Sequence, residues 1–295
     1  MKIYIVIFLT AFFSLNTASA PADSLQSIIV DGEQRQWRIY LPSGYAKDDL
    51  IPLVLNFHGS SSSPQAQADL SAFEKLAQLK GFMVVTPAAK YAPQGGGVTW
   101  NVDKIEGAVD DVAFIRQLIA HLKQQYSIDP ARVYATGFSG GARMSSRLGC
   151  DLSQIIAAIG PVAGVRYPED CQPSRPMPVI TFHGKKDTVN HYEHQDNSAP
   201  YWRMGVQDAL AGWIKNNQCQ QPATEKVITA DVTMLSYPKC QQGADIVFYR
   251  SANAGHTWPG SAQANVMAKF GLGNTDSATS ATELIWQFFV AHPLP

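Results

Sequence analysis

The 295-residue sequence has little charge and almost no excess of either sign. Charged residues make up 16% of the chain, and the formal net charge is −1. A near-neutral chain lacks the basic excess that is typical of nucleic-acid-binding proteins and of proteins drawn to anionic membranes. The sequence therefore predicts no nucleic acid and no lipid surface as a partner, and we expect a monomer.

Long apolar runs are also lacking beyond the N-terminus. The run IYIVIFLTAFFSL follows a single lysine and is too short for a comfortable membrane span. With the small residues around Ala20 and Ala22, it has the pattern of a secretory signal peptide. We predict a signal peptide over residues 1–22, cleaved after Ala20 or Ala22, and one domain over residues 23–295. The expected location is extracellular or periplasmic, and a retained membrane anchor is the alternative.

Cysteine is scarce, and its spacing predicts no metal site. The four cysteines form no C-x-x-C pair and no Cys/His cluster, so zinc is not expected. An even number of cysteines in an exported chain favours disulfides over the alternative of free thiols. Three pairings are possible, and the local one closes two loops, each of which would stabilise the fold by about 3 kcal/mol. It joins Cys150 to Cys171 and Cys219 to Cys240.

Internal repeats and low-complexity linkers are absent, and apolar strands alternate with amphipathic helices along the chain. The predicted strands include IPLVLNF, FMVVTP, RVYAT, IIAAIGPVAGV, MPVITF and IVFYRS, and a hairpin is expected at Asp31-Gly32. The predicted helices are DLSAFEKLAQLK, GAVDDVAFIRQLIAHLKQQY, MGVQDALAGWIKNN and SATELIWQFFVAH. This alternation predicts an α/β fold with a mostly parallel sheet covered by helices on both faces.

Chemically useful side chains directly follow four of the predicted strands, where such folds place their ligand sites. They are the segment from His58 to Ser61, Ser139 in GFSGG, Asp187 in HGKKD and His256 in NAGHTWPG. The chain order Ser, Asp, His, with G-x-S-x-G on a strand-to-helix turn, is that of the α/β-hydrolase triad.

Each of these residue types has a distinct task in acyl transfer. A serine hydroxyl is a poor nucleophile at neutral pH, so Ser139 needs His256 as base and Asp187 to orient that base. The oxyanion needs N–H donors, which we expect from Gly140 and from Ser60 or Ser61. This chemistry requires no cofactor and no metal. The alternatives are a turn serine, a structural histidine, and Asp196 or Glu193 in place of Asp187.

The segments HGSSS, DDVAFI, DPARVYATGFSGGARM, HGKKDTV and AGHTWPG resemble the secreted esterase family of polyhydroxybutyrate depolymerases, feruloyl esterases and acetylxylan esterases. The resemblance implies the α/β-hydrolase fold, hydrolysis of an ester through an acyl-enzyme, and the Cys219–Cys240 disulfide. It also carries the nucleophile, acid and base onto Ser139, Asp187 and His256. The serines of the oxyanion segment and Gly140 depart from many relatives, which leaves the substrate open.

Two features bear on that substrate. No sizeable insertion follows IIAAIGPVAGV, so we expect no large lid and an open site suited to polymer-attached or oligomeric esters. Aromatic and imidazole side chains in predicted loops are candidates for substrate contact, with core packing as the alternative: His58, Trp100, Trp202 and Trp258, together with Tyr91 and Tyr201.

The lack of an appended binding module favours feruloyl or acetyl esters of plant polysaccharides over polyhydroxybutyrate or related oligoesters. A peptidase and a non-catalytic binding protein on the same fold are the remaining alternatives.

Overall fold

The computed structural model describes residues 25–295. The predicted signal peptide, residues 1–22, lies outside the described residues. Within residues 25–295, ten strands form one sheet with the order β1-β2-β4-β3-β5-β6-β7-β10-β9-β8. The strands are β1 (Gln26–Val30), β2 (Glu33–Tyr40), β3 (Ile51–Phe57), β4 (Met83–Pro87), β5 (Ile128–Phe138), β6 (Ile159–Val162), β7 (Val179–Gly184), β8 (Thr224–Val227), β9 (Val232–Tyr237) and β10 (Ile246–Ser251).

The centre of the sheet is parallel and its two edges are antiparallel. The parallel pairs join β4, β3, β5, β6, β7 and β10 in that order, whereas β1, β2, β8 and β9 run antiparallel to their neighbours. Strands β3, β4, β6 and β7 are buried at every residue, as expected for strands covered on both faces. The carboxyl ends of the parallel strands β3, β5, β7 and β10 therefore lie on the same side of the sheet, which we call its carboxyl edge.

The described part of the chain has seven α-helices, besides the short 3₁₀ helix Gln241–Gly243. They are α1 (Pro64–Ser71), α2 (Phe73–Lys80), α3 (Asp111–Gln125), α4 (Gly140–Asp151), α5 (Val206–Asn217), α6 (Ala264–Lys269) and α7 (Ala281–Ala291). Apolar residues of α3, α4 and α5 pack into one hydrophobic cluster, and those of α2 and α7 pack into a second. This two-cluster core confirms the predicted arrangement of helices on both faces.

Local signals in the sequence explain several element ends. The hairpin at Asp31-Gly32 forms as predicted, with both residues at positive φ (52° and 80°) and Val30 paired with Glu33. Helix α7 begins where the Ser280 hydroxyl accepts a hydrogen bond from the Glu283 N–H.

Two predictions about the elements were incomplete. The segment predicted as one helix around Phe73 forms two, because Ala72 adopts φ 54° between α1 and α2. At that break the carbonyl of Ser71 accepts a hydrogen bond from the Thr282 hydroxyl of α7. Strands β8 and β9 lack a clear alternating pattern, and the sequence analysis did not identify them.

Covalent links fix two parts of the fold. Disulfides join Cys150 to Cys171 and Cys219 to Cys240, which is the local pairing. The first ties the end of α4 to the segment that leads into β7. None of the helices in residues 25–295 combines the length and apolarity needed to cross a bilayer.

Candidate active site

Ser139 lies on a strained turn between β5 and α4. Its backbone adopts φ 55° and ψ −113°, a conformation that costs a non-glycine residue of the order of 1–3 kcal/mol. The Ser139 N–H donates to Val162 O at 3.0 Å, which holds the turn against β6. The turn therefore projects the Ser139 side chain beyond the carboxyl edge of the sheet.

Glycines beside Ser139 permit this turn. A Cβ atom on Gly141 would lie 2.1 Å from Phe57 O, and one on Gly137 would lie 2.6 Å from the same atom. Real Cβ atoms do not approach backbone oxygens so closely, so α4 packs against β3 at this point only with glycine. The glycines of GFSGG thus allow close packing of a helix against a strand beside Ser139.

Asp187 and His256 meet at the ends of two neighbouring parallel strands. Asp187 follows β7 and His256 follows β10, which pair in register from Ile246 with Val179 onward. His256 Nδ1 lies 2.7 Å from Asp187 Oδ2. The two side chains are 69 residues apart in the chain, so it is the sheet topology that brings them together.

The Asp187 carboxylate is buried, accepts three hydrogen bonds and lies close to a fourth nitrogen, His183 Nε2, which is also 2.8 Å from Asn190 O. Its Oδ1 accepts from the Val189 and Asn190 N–H groups at 2.9 and 2.8 Å, and its Oδ2 lies 3.2 Å from His183 Nε2. Burial alone would raise the pKa of Asp187, but the hydrogen bonds from His183 and His256 outweigh it and hold the pKa below its usual range. Asp187 is therefore a carboxylate at neutral pH.

The charge of Asp187 determines the tautomer of His256. A carboxylate oxygen accepts, so His256 Nδ1 carries the proton and His256 Nε2 is left unprotonated in the neutral ring. The backbone N–H of His256 donates to Leu272 O at 2.7 Å, and the ring lies 4.8 Å from that of Phe138 between centroids. His256 is thus held through Nδ1, which leaves Nε2 as the ring nitrogen that can accept a proton.

Ser139 and His256 line the same cleft at the carboxyl edge of the sheet. Within residues 25–295 the Ser139 hydroxyl has no protein hydrogen-bond partner, so its contact with His256 is not closed in this structure. Such contacts are often long in ligand-free enzymes and shorten when substrate binds. The arrangement therefore contains a hydroxyl, an imidazole and a carboxylate, the groups that act as nucleophile, base and orienting acid in a serine hydrolase.

Two backbone N–H groups converge beside Ser139. A Cβ on Gly140 would lie 3.0 Å from Ser60 N, so the two peptide units are adjacent. Among the described residues, neither the Ser60 N–H nor the Gly140 N–H has a protein acceptor. The Ser61 N–H, the other candidate, donates to Val98 O at 2.8 Å. Of the three predicted oxyanion donors, the Ser60 and Gly140 N–H groups are therefore free of a protein acceptor, whereas the Ser61 N–H is engaged.

His58 and Trp100 lie beneath the segment that carries Ser60. His58 Nε2 accepts from the Ala89 N–H at 3.0 Å, so its Nδ1 carries the proton and donates to Gly59 O. Trp100 Nε1 donates to His58 O at 2.8 Å. Burial lowers the pKa of His58, so this imidazole is neutral. Both side chains are buried and support the segment from within rather than contacting substrate.

The predicted tryptophan wall is not formed. Trp202 and Trp258 are buried like Trp100, because each indole N–H has an internal acceptor: His191 O for Trp202 and the Thr282 hydroxyl for Trp258. Of the predicted aromatic residues, Tyr201 does line the cleft and is 39% exposed. Core packing, the alternative considered for each tryptophan, is what the structure contains.

The cleft has a volume of about 540 Å³ and a largely apolar far wall. That wall is the segment around α6, which contributes Val266, Met267, Phe270 and Leu272 opposite Leu70 of α1. Phe270 is 78% exposed at its rim. Sequence reasoning missed this wall; a signal was present in the apolar side chains of NVMAKFGL next to the His256 loop. Nowhere in residues 25–295 are three or more metal-ligating side chains grouped to hold an ion.

Comparison with known proteins agrees with this architecture. Residues 35–206, more than half of the chain, match the family described as esterase PHB depolymerase. The chain belongs to this family. An acetyl xylan esterase from Aspergillus awamori superposes with a TM-score of 0.57 over 85% of this chain and 100% of that one, at 17% identity. The fold is therefore that of the α/β-hydrolases, as predicted.

Two relatives with similar sequences are much longer than this chain. Feruloyl esterase B from Piromyces equi is 30% identical over 227 residues, which cover 74% of this chain and 42% of the relative. A bifunctional acetylxylan esterase/xylanase from Neocallimastix patriciarum is 28% identical over 77% of this chain and 31% of its own length. The chain thus spans less than half the length of either relative.

Proposed function

We propose that the protein is a serine ester hydrolase with Ser139 as nucleophile, His256 as general base and Asp187 as the orienting acid. The observation that carries the proposal is the shared cleft of Ser139 and His256, with His256 Nδ1 bonded to a buried carboxylate at 2.7 Å. Family membership and the strained backbone of Ser139 support it. A protein that only bound esters would have no need of that strain.

The proposed reaction proceeds through an acyl-enzyme. Ser139 Oγ attacks the ester carbonyl carbon while its proton moves to His256 Nε2, and Asp187 stabilises the resulting imidazolium. The tetrahedral oxyanion receives hydrogen bonds from the Ser60 and Gly140 N–H groups. Collapse breaks the C–O bond, and the imidazolium returns its proton to the leaving alcohol. Water then attacks the acyl-enzyme by the same steps, which releases the carboxylic acid and restores the Ser139 hydroxyl.

A bulky acyl group suits the cleft better than acetate does. A cavity of about 540 Å³ with Met267 and Leu272 on its far wall is far larger than an acetyl methyl group requires. An aromatic acid such as ferulate would bury its ring against this apolar surface. We therefore propose feruloyl-type esters of plant cell-wall polysaccharide as the substrate, and the similarity to a feruloyl esterase supports this choice.

Hydrolysis of hydroxyalkanoate oligoesters is the second candidate. The family description names PHB depolymerase, and the exposed Phe270 at the rim of the cleft offers an apolar contact for a polyester chain. Action outside the cytoplasm is part of the same proposal, because two disulfides persist best in an oxidising compartment.

A substrate panel distinguishes these candidates. Wild type and Ser139→Ala are assayed on methyl ferulate, acetylated xylan and hydroxybutyrate oligomers. We expect the largest kcat/KM on methyl ferulate and a loss of about 10³-fold or more in Ser139→Ala on every substrate. A preference for hydroxybutyrate oligomers would favour the second candidate. Activity of Ser139→Ala close to that of wild type would overturn the proposed mechanism.

A further inference from the structure

Arg143 is a buried arginine on α4, one turn after Ser139. Its side chain is about 5% exposed, and its backbone N–H donates to Ser139 O at 3.1 Å. Among the described residues the Arg143 guanidinium has no ion-pair partner, and its Nε has no hydrogen-bond acceptor. A buried charge without compensation is costly, so its presence beside the nucleophile calls for a physical reason.

Other buried arginines of the fold are neutralised in the usual way. Arg35 is paired with Asp111, Arg147 with Asp170 at 2.7 Å, and Arg166 with Asp103 at 2.8 Å. Each of these has a carboxylate in direct contact. Arg143 departs from this pattern although it lies on the same helix as Arg147.

The contacts of Arg143 lead to the oxyanion donors. Its Nη2 lies 3.5 Å from Ser60 Oγ, which is 2.7 Å from the Thr99 hydroxyl. Its Cζ lies 4.1 Å from the ring centroid of Tyr201, which covers it on the cleft side. A Cβ on Gly140 would lie 2.5 Å from the same Ser60 Oγ. The guanidinium is therefore adjacent to the two peptide units whose N–H groups lack acceptors.

We propose that Arg143 is a positioning residue of the oxyanion site, which holds Ser60 in place and supplies positive charge where negative charge develops in the reaction. The inference rests on the proposed function, because it takes Ser139 as the nucleophile. Asp103 acts on the charge of Arg143 only from beyond ion-pair distance, so the place of a directly contacting anion is left for the oxyanion, which is present only during turnover. Fixed charge of this kind stabilises a transition state because no solvent or side chain has to reorganise around it.

Burial lowers the pKa of Arg143 to about 10, so the group stays protonated at neutral pH. Its charge is consequently constant around neutral pH. Stacking of Tyr201 over the guanidinium is the contact expected of a cation kept without a carboxylate partner.

The test compares Arg143→Met with wild type on one ester, and uses Arg147→Met as the matched control. Arg147 lies one turn further along α4, is equally buried, and hydrogen-bonds to Val102 O and Asp170. We expect Arg143→Met to lose roughly tenfold or more in kcat with a small change in KM, because one source of oxyanion stabilisation is removed. Arg143→Lys should recover part of kcat, and Arg147→Met should keep kcat and lose thermal stability.

An inhibitor pair gives a readout that a purely structural role would not change. Phenylboronic acid forms an anionic tetrahedral adduct with a serine nucleophile, whereas benzamide resembles the neutral ground state. We expect Ki for the boronic acid to rise about tenfold in Arg143→Met while Ki for benzamide stays within about twofold. Equal changes in both Ki values, or unchanged kcat in folded Arg143→Met, would overturn the inference.

A second variant keeps the test valid if Arg143→Met folds poorly. Ser60→Ala retains the Ser60 N–H and removes the Oγ that Arg143 contacts. If Arg143 acts through Ser60, Arg143→Lys should lower kcat by a smaller factor in a Ser60→Ala background than in wild type. Additive losses would contradict that route. Failure of phenylboronic acid to inhibit wild type would instead refute the proposed function, and with it the inference.

Discussion

Replacing Asp187 by asparagine should remove activity through the wrong tautomer of His256 rather than through loss of the fold. The introduced amide would keep its carbonyl oxygen toward the Val189 and Asn190 N–H groups, because both of these donors hydrogen-bond to Asp187 Oδ1 and an amide NH₂ could not accept from them. Its nitrogen would then face His256 Nδ1, which at present donates to Asp187 Oδ2 at 2.7 Å. Since an amide NH₂ is a donor, His256 would have to accept at Nδ1 and carry its proton on Nε2.

A proton on Nε2 prevents His256 from acting as the base for Ser139. The corresponding change in a serine protease costs about 10⁴ in kcat with the geometry intact, and we expect a loss of about that size here. KM should change little, because Asp187 lies behind His256 and does not line the cleft.

Steady-state kinetics on an aryl ester at pH ~7 measure this loss. Asp196→Asn is the control, because Asp196 is an exposed carboxylate of the same loop region and the sequence offered it as a rival acid. The control should keep kcat within about twofold of wild type, since neutral surface substitutions seldom matter. If Asp187→Asn kept more than about a tenth of wild-type kcat, the assignment of Asp187 would be refuted.

Three further predictions concern the oxyanion site, the covalent links and acid stability. Gly140→Ala should lower kcat about tenfold or more, since its Cβ would lie 2.5 Å from Ser60 Oγ; folded protein with normal kcat would contradict this. Cys150→Ser with Cys171→Ser should lower the free energy of unfolding by about 3 kcal/mol in urea titrations, and no change would contradict the pairing. The depressed pKa of Asp187 means that its stabilisation is complete above pH ~4 and declines as the pH falls towards the folded-state value. The difference in free energy of unfolding between wild type and Asp187→Asn should therefore shrink below pH ~4. A difference that grew there would contradict the direction of the Asp187 pKa shift.

The sequence predicted the architecture well where local rules are strong. Buried strands such as IPLVLNF and the turn at Asp31-Gly32 are set by apolar runs and by positive φ, which short segments encode. The positions of Ser139, Asp187 and His256 directly after strands could also be predicted from the sequence. Parallel strands bring their carboxyl ends to the same edge of a sheet, so residues that follow such strands are expected to lie close together.

Contacts between residues that are far apart in the sequence could not be predicted. Trp100 and Trp258 are in loops by sequence, yet both are buried, and their indole N–H groups donate to His58 O and to the Thr282 hydroxyl. Burial of an aromatic residue in a loop depends on what packs over it, and no local pattern reveals that. The break at Ala72 and the position of the Arg143 guanidinium also depend on tertiary contacts, which a local sequence pattern does not reveal.

Covalent labelling identifies the nucleophile, proposed to be Ser139, without turnover of an ester. A fluorophosphonate reagent is incubated with wild type and with Ser139→Ala, and the modified peptide is identified by mass spectrometry. We expect one adduct in wild type, on Ser139, and none in Ser139→Ala. An adduct on another serine, or equal labelling of both proteins, would contradict it.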